Sequence, residues 1–367
     1  VARPVSATPP PTPPGIRTQT LAPTVLTPSS SAAAVLQSPA GSTRANHSSA
    51  DDARGEWHAA RRKGLGGSDV AAVMGVSPWN SAMDTWLSKM GMVEPNSETG
   101  AMQRGRLFED AIAQWYQEEI GSEYVVEGGE EMPIGNPLVE EWMLASPDRY
   151  VTRVDGTEPK FGLEIKTARS DYGWGQKSEG NAGIPAYYLT QCAWYMAVTG
   201  IHKWVIVVYI LASDEFRTYT INRDPEYERH MVETCRNFWN NHVIPGVPPP
   251  LDGSKGTQDY LKLVHGQVKD DEIAEATSKE TEMILRLKEL KDEYARVDRE
   301  HGKLESEVKA LIGERVGLKG PWGQVTWRQQ TTRKRLDQTA LAADHPNLVD
   351  QYTVGGYGIR VFRMEVK

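Results

Sequence analysis

GLEIKTARS, residues 162–170, decides how this chain is read. It follows the turn-like DGTEPK and alternates as a short strand does. Side chains on a strand point to opposite faces in turn, so Glu164 and Lys166 share one side and Leu163 and Ile165 the other. One reading is a solvent-facing polar side, the default for an antiparallel sheet. The other is a metal site, with Glu164 as ligand and Lys166 beside the reacting group. Deciding between them needs a second carboxylate.

Asp148, in SPDRYV, supplies one. A hairpin turning through 155–160 brings Asp148 roughly opposite the Glu164 end of the partner strand. Asp148 and Glu164 could then share a divalent ion. Two carboxylates, a main-chain carbonyl and waters give the oxygen shell that magnesium takes. Lys166, on the same face, could position or activate the attacking water.

Outward from this pair, the elements read clearly. SDVAAVMG (68–75) is a short helix capped by Ser68 or Asp69 and stopped at Gly75. MDTWLSKMG (83–91) is a second helix. RGRLFEDAIAQWYQEEIG (104–121) is a longer one, with Leu107, Phe108, Ala111, Ile112, Trp115 and Tyr116 as its apolar face. MLASPDRYVTRV (143–154) and FGLEIKTA (161–168) are strands. A helix starts at Pro185 and ends at Gly200. KWVIVVYIL (203–211) is a continuous apolar run, the mark of a central strand buried on both faces. FRTYTI (216–221) is a strand and 224–243 a closing helix.

The flanks differ in texture. Residues 1–50 are rich in Pro, Ser, Thr and Ala, with no acidic residue, and form a disordered tail. The same composition marks a transit peptide, but no amphipathic helix accompanies it. The globular region spans 51–250, and a break at PGVPPPLDG (245–253) closes it. Residues 251–313 comprise a linker and a long helix of roughly 40 residues. Its seam runs Ile273, Ala276, Glu280, Met283, Leu287, Leu290, Tyr294, Val297, His301, Leu304, Val308, Leu311 at unbroken heptad spacing. Such a stripe calls for another helix against it, in a second subunit, in a partner or in the same chain. Residues 314–367 form a small β unit, with strands in 317–329 and 357–366.

Bulk properties narrow the function. The 367 residues carry a net charge of −8, so bulk charge does not hold this protein to nucleic acid. Two cysteines exclude a disulfide framework and a four-cysteine zinc site, and they suit a reducing cytoplasm. No apolar run reaches the length of a membrane span. The glycines of GLGGSD follow no strand and are not a dinucleotide fingerprint, and no P-loop occurs.

Asp148, fifteen intervening residues and then Glu164-Ile165-Lys166 is similar to the PD-(D/E)xK motif of metal-dependent nucleases. Around it, EWHAARRKGLGGSDVAAVMGVSPWNSAMDTWLSKMG (56–91), GRLFEDAIAQWY (105–116), SPD, LEIK and IPAYYLTQCAWYMAVTG (184–200) follow in order. Together they resemble the lambda-exonuclease-like (YqaJ) viral-recombinase nucleases, over about residues 55–245. The resemblance implies an α/β core of the restriction-endonuclease type, a mixed central sheet flanked by helices.

It also implies roles. Asp148 and Glu164 bind Mg²⁺, with Mn²⁺ a possible substitute and the Ile165 carbonyl an extra ligand. Glu109 is the third acidic residue, for a second metal or a water. Read without the resemblance, Glu109 is a first-turn carboxylate favoured by the helix dipole. Lys166 is the catalytic lysine, and Gln191 holds the water or the scissile phosphate. Arg61 and Ser68 receive a DNA 5′-phosphate; by itself Arg61-Arg62-Lys63 is a solvated charge run. The implied activity is 5′→3′ exonucleolytic cleavage of double-stranded DNA ends, as a ring trimer, for a single-strand annealing protein. An endonuclease or distributive nuclease of the same fold, or a non-catalytic interaction protein with a nuclease-like domain, are the alternatives.

Overall fold

The structure is a computed structural model, and it describes residues 49–93, 98–129, 133–136, 140–267, 273–329 and 338–352. The expected tail and the strand at 357–366 lie outside them. The chain divides into two compact units, 1–264 and 265–367. The first unit therefore runs past the Pro-rich break at which the sequence places its boundary.

Helices α1 (Ser49–Arg62), α2 (Gly67–Val73), α3 (Ala82–Lys89) and α4 (Gly100–Ile120) come first. Neither Ser68 nor Asp69 is the cap of α2. Gly66 holds that position, and the Asp69 carboxylate reaches back to accept from its N–H at 2.9 Å. Gly75, at φ +71°, ends the segment as expected. Ser81 caps α3 by accepting from the Asp84 N–H at 3.2 Å.

The central sheet has the order β1-β4-β5-β6-β7: β1 (Tyr124–Gly128), β4 (Arg149–Arg153), β5 (Phe161–Ala168), β6 (Lys203–Ile210) and β7 (Glu215–Asn222). All pairs are antiparallel except β5 with β6. That parallel pair needs a crossover, and α5 (Ala186–Thr199) provides it. Pro185 leads into α5 and Gly200, in the left-handed region at φ +73°, ends it. The mixed sheet flanked by helices is the architecture expected from the sequence.

Residues 143–154 are not one strand. β2 (Ile134–Asn136) and β3 (Glu140–Ala145) form a separate pair, and the chain bends at Ser146–Asp148 before β4 joins the main sheet. The bend lets Trp142, Met143 and Ala145 pack in the core on the α5 side while Val151 packs on the other. Leu65 bridges to Met143, and the Trp194 indole N–H donates to the carbonyls of Leu65 (3.2 Å) and Leu144 (2.9 Å). The segment before α2 is thereby tied to β3 and α5.

Two cores lie on the two faces of the sheet. On one, Ile112, Ala113 and Tyr116 of α4 pack on Val151, Leu163, Ile165, Val205 and Val207. Leu107, Phe108 and Ala111, expected on that buried face, are exposed: burial along α4 begins only at Ile112. On the other face, Cys192, Trp194, Tyr195 and Met196 of α5 cover Trp204, Ile206 and Val208. β6 is buried on both sides, as its unbroken apolar run requires.

α6 (Pro225–Phe238) starts at Asp224, whose carboxylate accepts from the N–H groups of Glu226 and Tyr227, and passes into a π turn over Trp239–Val243. α7 (Lys255–His265) packs on α3 through the Tyr260 and Trp86 rings, 5.7 Å apart, and through Gly256 against Asp84.

In the second unit, α8 spans Ser278–Ile312, 35 residues. It starts later than the heptad pattern because Thr277 caps it, while the Glu280 carboxylate accepts from the Thr277 N–H at 2.8 Å. Ile273 and Ala276 thus precede the helix, and Glu280 serves the cap. Met283, Leu287, Leu290, Tyr294, Val297, Leu304 and Leu311 are exposed along the stripe. A hairpin of β8 (Gly317–Gly320) and β9 (Gly323–Thr326) follows, then α9 (Gln338–Asp344) and α10 (Pro346–Tyr352). Among the described residues no helix is long and apolar enough to cross a membrane.

Candidate active site

β5 carries the site because its alternation is split between two cores. Leu163 and Ile165 face α4. Glu164 and Lys166 face α5, and Glu164 is 0 % exposed, so this side of the strand is not a solvated polar face. The antiparallel register of β4 and β5 pairs Arg149 with Leu163, which sets Asp148 beside Glu164. The Asp148 Oδ2 accepts from the Ile165 N–H at 2.7 Å.

Glu164 Oε1 is doubly engaged. The Lys166 ammonium donates to it at very short range, and the Gln191 amide donates at 2.6 Å. Gln191 also donates to the Tyr195 hydroxyl at 2.9 Å, which fixes its rotamer on α5. Gly67 of α2 stands directly over it: a Cβ there would lie 2.6 Å from Gln191 Cγ. Tyr188, one turn back along α5, places its ring 5.1 Å from the Lys166 ammonium.

Burial raises the pKa of Glu164, and the Asp148 charge raises it further against the pull of Lys166. Burial pulls Lys166 the other way, yet Glu164 and Asp148 together hold its ammonium well above the ordinary lysine value. Glu109 is also raised, by burial first and then by Asp148. Three carboxylates in mutual repulsion are what a cation relieves.

Glu164 Oε2 is buried and has no hydrogen-bond partner. An unpaired buried oxygen of this kind is costly unless something binds it. Asp148, opposite Glu164 in the strand register, accepts the Ile165 N–H on Oδ2 and has Oδ1 as its second oxygen. These two oxygens fit a hard divalent cation. Glu109 is held elsewhere: Arg149 donates to its carboxylate at 2.6 Å, to Asp110 at 2.5 Å and to the Asp148 carbonyl at 2.5 Å. Among the described residues no three His, Cys, Asp or Glu side chains converge as a ready-made cage.

Arg61 and Ser68 also meet. The guanidinium donates to Ser68 Oγ at 2.8 Å and to Asp69 at 3.2 Å, and stacks over the Trp57 ring at 4.9 Å. Asp69 is shared with Lys89, whose side chain is 3 % exposed and whose ammonium donates both to Asp69 and to the Arg61 carbonyl at 2.8 Å. Burial works against an ionised Asp69, but Arg61 and Lys89 outweigh it and bring its carboxyl down to about 2.

Residues 56–202 match the profile of the YqaJ-like viral recombinase domain. This stretch is similar to that domain. The match takes in α2 to α5 and every site residue named above. The YqaJ protein of Bacillus subtilis (strain 168), itself uncharacterized, is 25% identical over 305 residues, covering 81% of this chain and 90% of that protein. A match of that extent reaches beyond the YqaJ-like domain into α8, whichever end it starts from.

Distant likenesses in fold run to LHK-Exo in complex with dAMP (22% identity, 57% of this chain and 96% of that one, TM-score 0.41). A second is the alkaline exonuclease LHK-Exo of Laribacter hongkongensis (23%, 51% and 91%, TM-score 0.40). A third is a phage-related exonuclease from Haemophilus somnus 129PT (13%, 50% and 96%, TM-score 0.36).

Sequence reasoning gave no site role to Arg149, Asp69 and Lys89, and it placed Tyr188 only on the helix face of Gln191. The first two adjoin named residues, Asp148 and Ser68. Lys89 carries no such signal.

Proposed function

We propose that this protein is a Mg²⁺-dependent 5′→3′ exonuclease that acts on double-stranded DNA ends and leaves single strands for recombination. The observation that carries the reading is Glu164: fully buried, with one oxygen shared by Lys166 and Gln191 and the other unpartnered beside Asp148. A buried carboxylate with an unsatisfied oxygen is expensive, and metal-assisted hydrolysis gives it a purpose.

Asp148 and Glu164 would hold Mg²⁺ or Mn²⁺, with the Ile165 carbonyl as a further oxygen, and Glu109 would serve a second ion or a water. When bound, the ion supplies Lewis-acid stabilisation of the charge that develops on the phosphate and lowers the pKa of water. Lys166, kept charged by two carboxylates, orients the attacking water and faces the negative phosphate. Gln191 holds Glu164 in place and presents its amide to the same space. Arg61 meets Ser68, the neighbour of the Gly67 that packs on Gln191, and the two would take the 5′-phosphate, a group that a guanidinium binds with directed hydrogen bonds.

The test is digestion of linear duplex with 5′-phosphate or 5′-hydroxyl ends, with closed circular duplex alongside, in Mg²⁺ and in EDTA. Cleavage of linear DNA only, with Mg²⁺ only and faster from 5′-phosphate, is expected. Arg61→Ala should remove the preference, since a charge-assisted contact is worth about 1.5–3 kcal/mol. Nicking of closed circles would replace this reading with an endonuclease, and no cleavage of any substrate with a non-catalytic role.

A further inference from the structure

Trp79 lies in the loop between α2 and α3, and its indole is 65 % exposed. The loop itself is held: Ser77 Oγ accepts from the N–H groups of Trp79 and Asn80, both at 3.3 Å. The indole is braced from behind as well. Tyr187 meets it edge-on, with centroids 4.6 Å apart and planes at 73°. Tyr188 lies 6.3 Å away, and the two tyrosines touch each other at 4.4 Å. Tyr188 is fixed in turn by Trp174, stacked 5.5 Å from it, and by the Lys166 ammonium at 5.1 Å.

An aromatic chain thus runs from the surface to the lysine of the candidate active site. Its two steps, 6.3 and 5.1 Å, limit the separation of Trp79 from Lys166 to about three stacked nucleotides at roughly 3.4 Å each. With Tyr187 and Tyr188 packed against it, Trp79 still keeps most of its surface open to a ligand. The chain carries a net charge of −8, so general attraction to phosphates contributes little and contacts to bases matter more.

We infer that Trp79 is a stacking platform for an unpaired nucleobase of the strand being cut, within three nucleotides of the scissile phosphate. The inference rests on the nuclease reading above. Every base has a π face, so the platform accepts all four bases, and it holds them only once they are unpaired.

The test uses the full chain and a 5′-phosphorylated duplex with 2-aminopurine at the first, second or third nucleotide, in EDTA. The wild type should quench the fluorophore at one or more of these positions. Trp79→Ala should lose the quenching and weaken binding about 5- to 150-fold, the range that one base stacked on an aromatic ring supplies. Trp79→Phe should restore most of both. An abasic residue at the quenched position should weaken wild type and abolish the difference from Trp79→Ala. In Mg²⁺ the same substitution should act mainly on KM.

Unchanged binding by Trp79→Ala overturns the inference. So does an equal loss on normal and abasic DNA that Trp79→Phe does not rescue, which marks a structural or protein-contact role. The binding measurement needs no cleavage: a wild type that quenches but never cuts retires the nuclease reading alone. A wild type that cuts without any effect of Trp79→Ala retires the platform alone.

Discussion

The Gln191 amide donates to Glu164 Oε1 at 2.6 Å, across the packed face between α5 and β5. Lys166 donates to the same oxygen. Glu164 is therefore fixed through Oε1, and its Oε2 is left buried without a partner. Gln191→Ala removes one of the two groups that set this orientation. It should lower kcat about 10–100-fold, the usual cost of losing a partner that orients a ligand, and raise the Mg²⁺ concentration for half-maximal rate. Steady-state cleavage of labelled duplex across a Mg²⁺ series reads both.

Metal should stabilise the fold. At a Mg²⁺ concentration 100 times the dissociation constant the gain is about 2.7 kcal/mol, visible as a rise in Tm. Asp148→Ala and Glu164→Ala should each lose that rise and lose cleavage. Lys166→Ala should keep the rise and lose turnover by about 10²–10³-fold, because the lysine acts on the reacting groups and holds no metal. Thermal unfolding with and without Mg²⁺, beside the cleavage assay, separates the two classes.

Asp69 has a pH signature. Its carboxyl sits at about 2 in the folded protein against an ordinary 3.8. A depressed folded value means stability that is complete above pH ~4 and is lost as pH falls toward 2, about 2 kcal/mol in all. Asp69→Asn should be less stable than wild type at pH 6, and the gap should close as pH falls through that window. Urea unfolding at pH 6, 4 and 2.5 measures it.

Much of the candidate site was legible because strand alternation is strict. Once Asp148, Glu164 and Lys166 were on adjoining strands, one face had to gather all three. Gln191 came only from the family resemblance, since a lone Gln on a Tyr-rich helix is by itself an ordinary polar group. Lys89 was not legible, because a buried ion pair between elements 20 residues apart leaves no local pattern. The bend at Ser146–Asp148 had a local mark, the turn-type Ser-Pro-Asp between MLA and RYV, but nothing local says that the two halves serve different sheets. Helical period marked the apolar face of α4 but not how far the sheet covers it, so Leu107 and Phe108 came out exposed. The heptad phase of α8 continued upstream of Thr277, where capping chemistry stops the helix.

The limit of the first unit gives the last prediction. A chain ending after His265 should keep the full stability of the unit. One ending at Gly253 should lose α7 and uncover Trp86, which is 2 % exposed in the intact fold. Exposing an aromatic side chain of this size costs about 1.5–3 kcal/mol. Chemical denaturation of the two truncated proteins should differ by that order; equal midpoints would show that α7 adds nothing.

Gly67 couples the two ends of the candidate site by contact alone. Its missing side chain allows α2, which carries Ser68, to rest on the Gln191 stem, with no atom to spare. Whatever displaces α2 on that axis is felt by Gln191. Under the proposed roles, choice of DNA end and speed of hydrolysis would then share one steric degree of freedom. Substitutions here cannot tune the two traits separately, and a lineage that altered its preference among ends at this contact would have altered its rate in the same step.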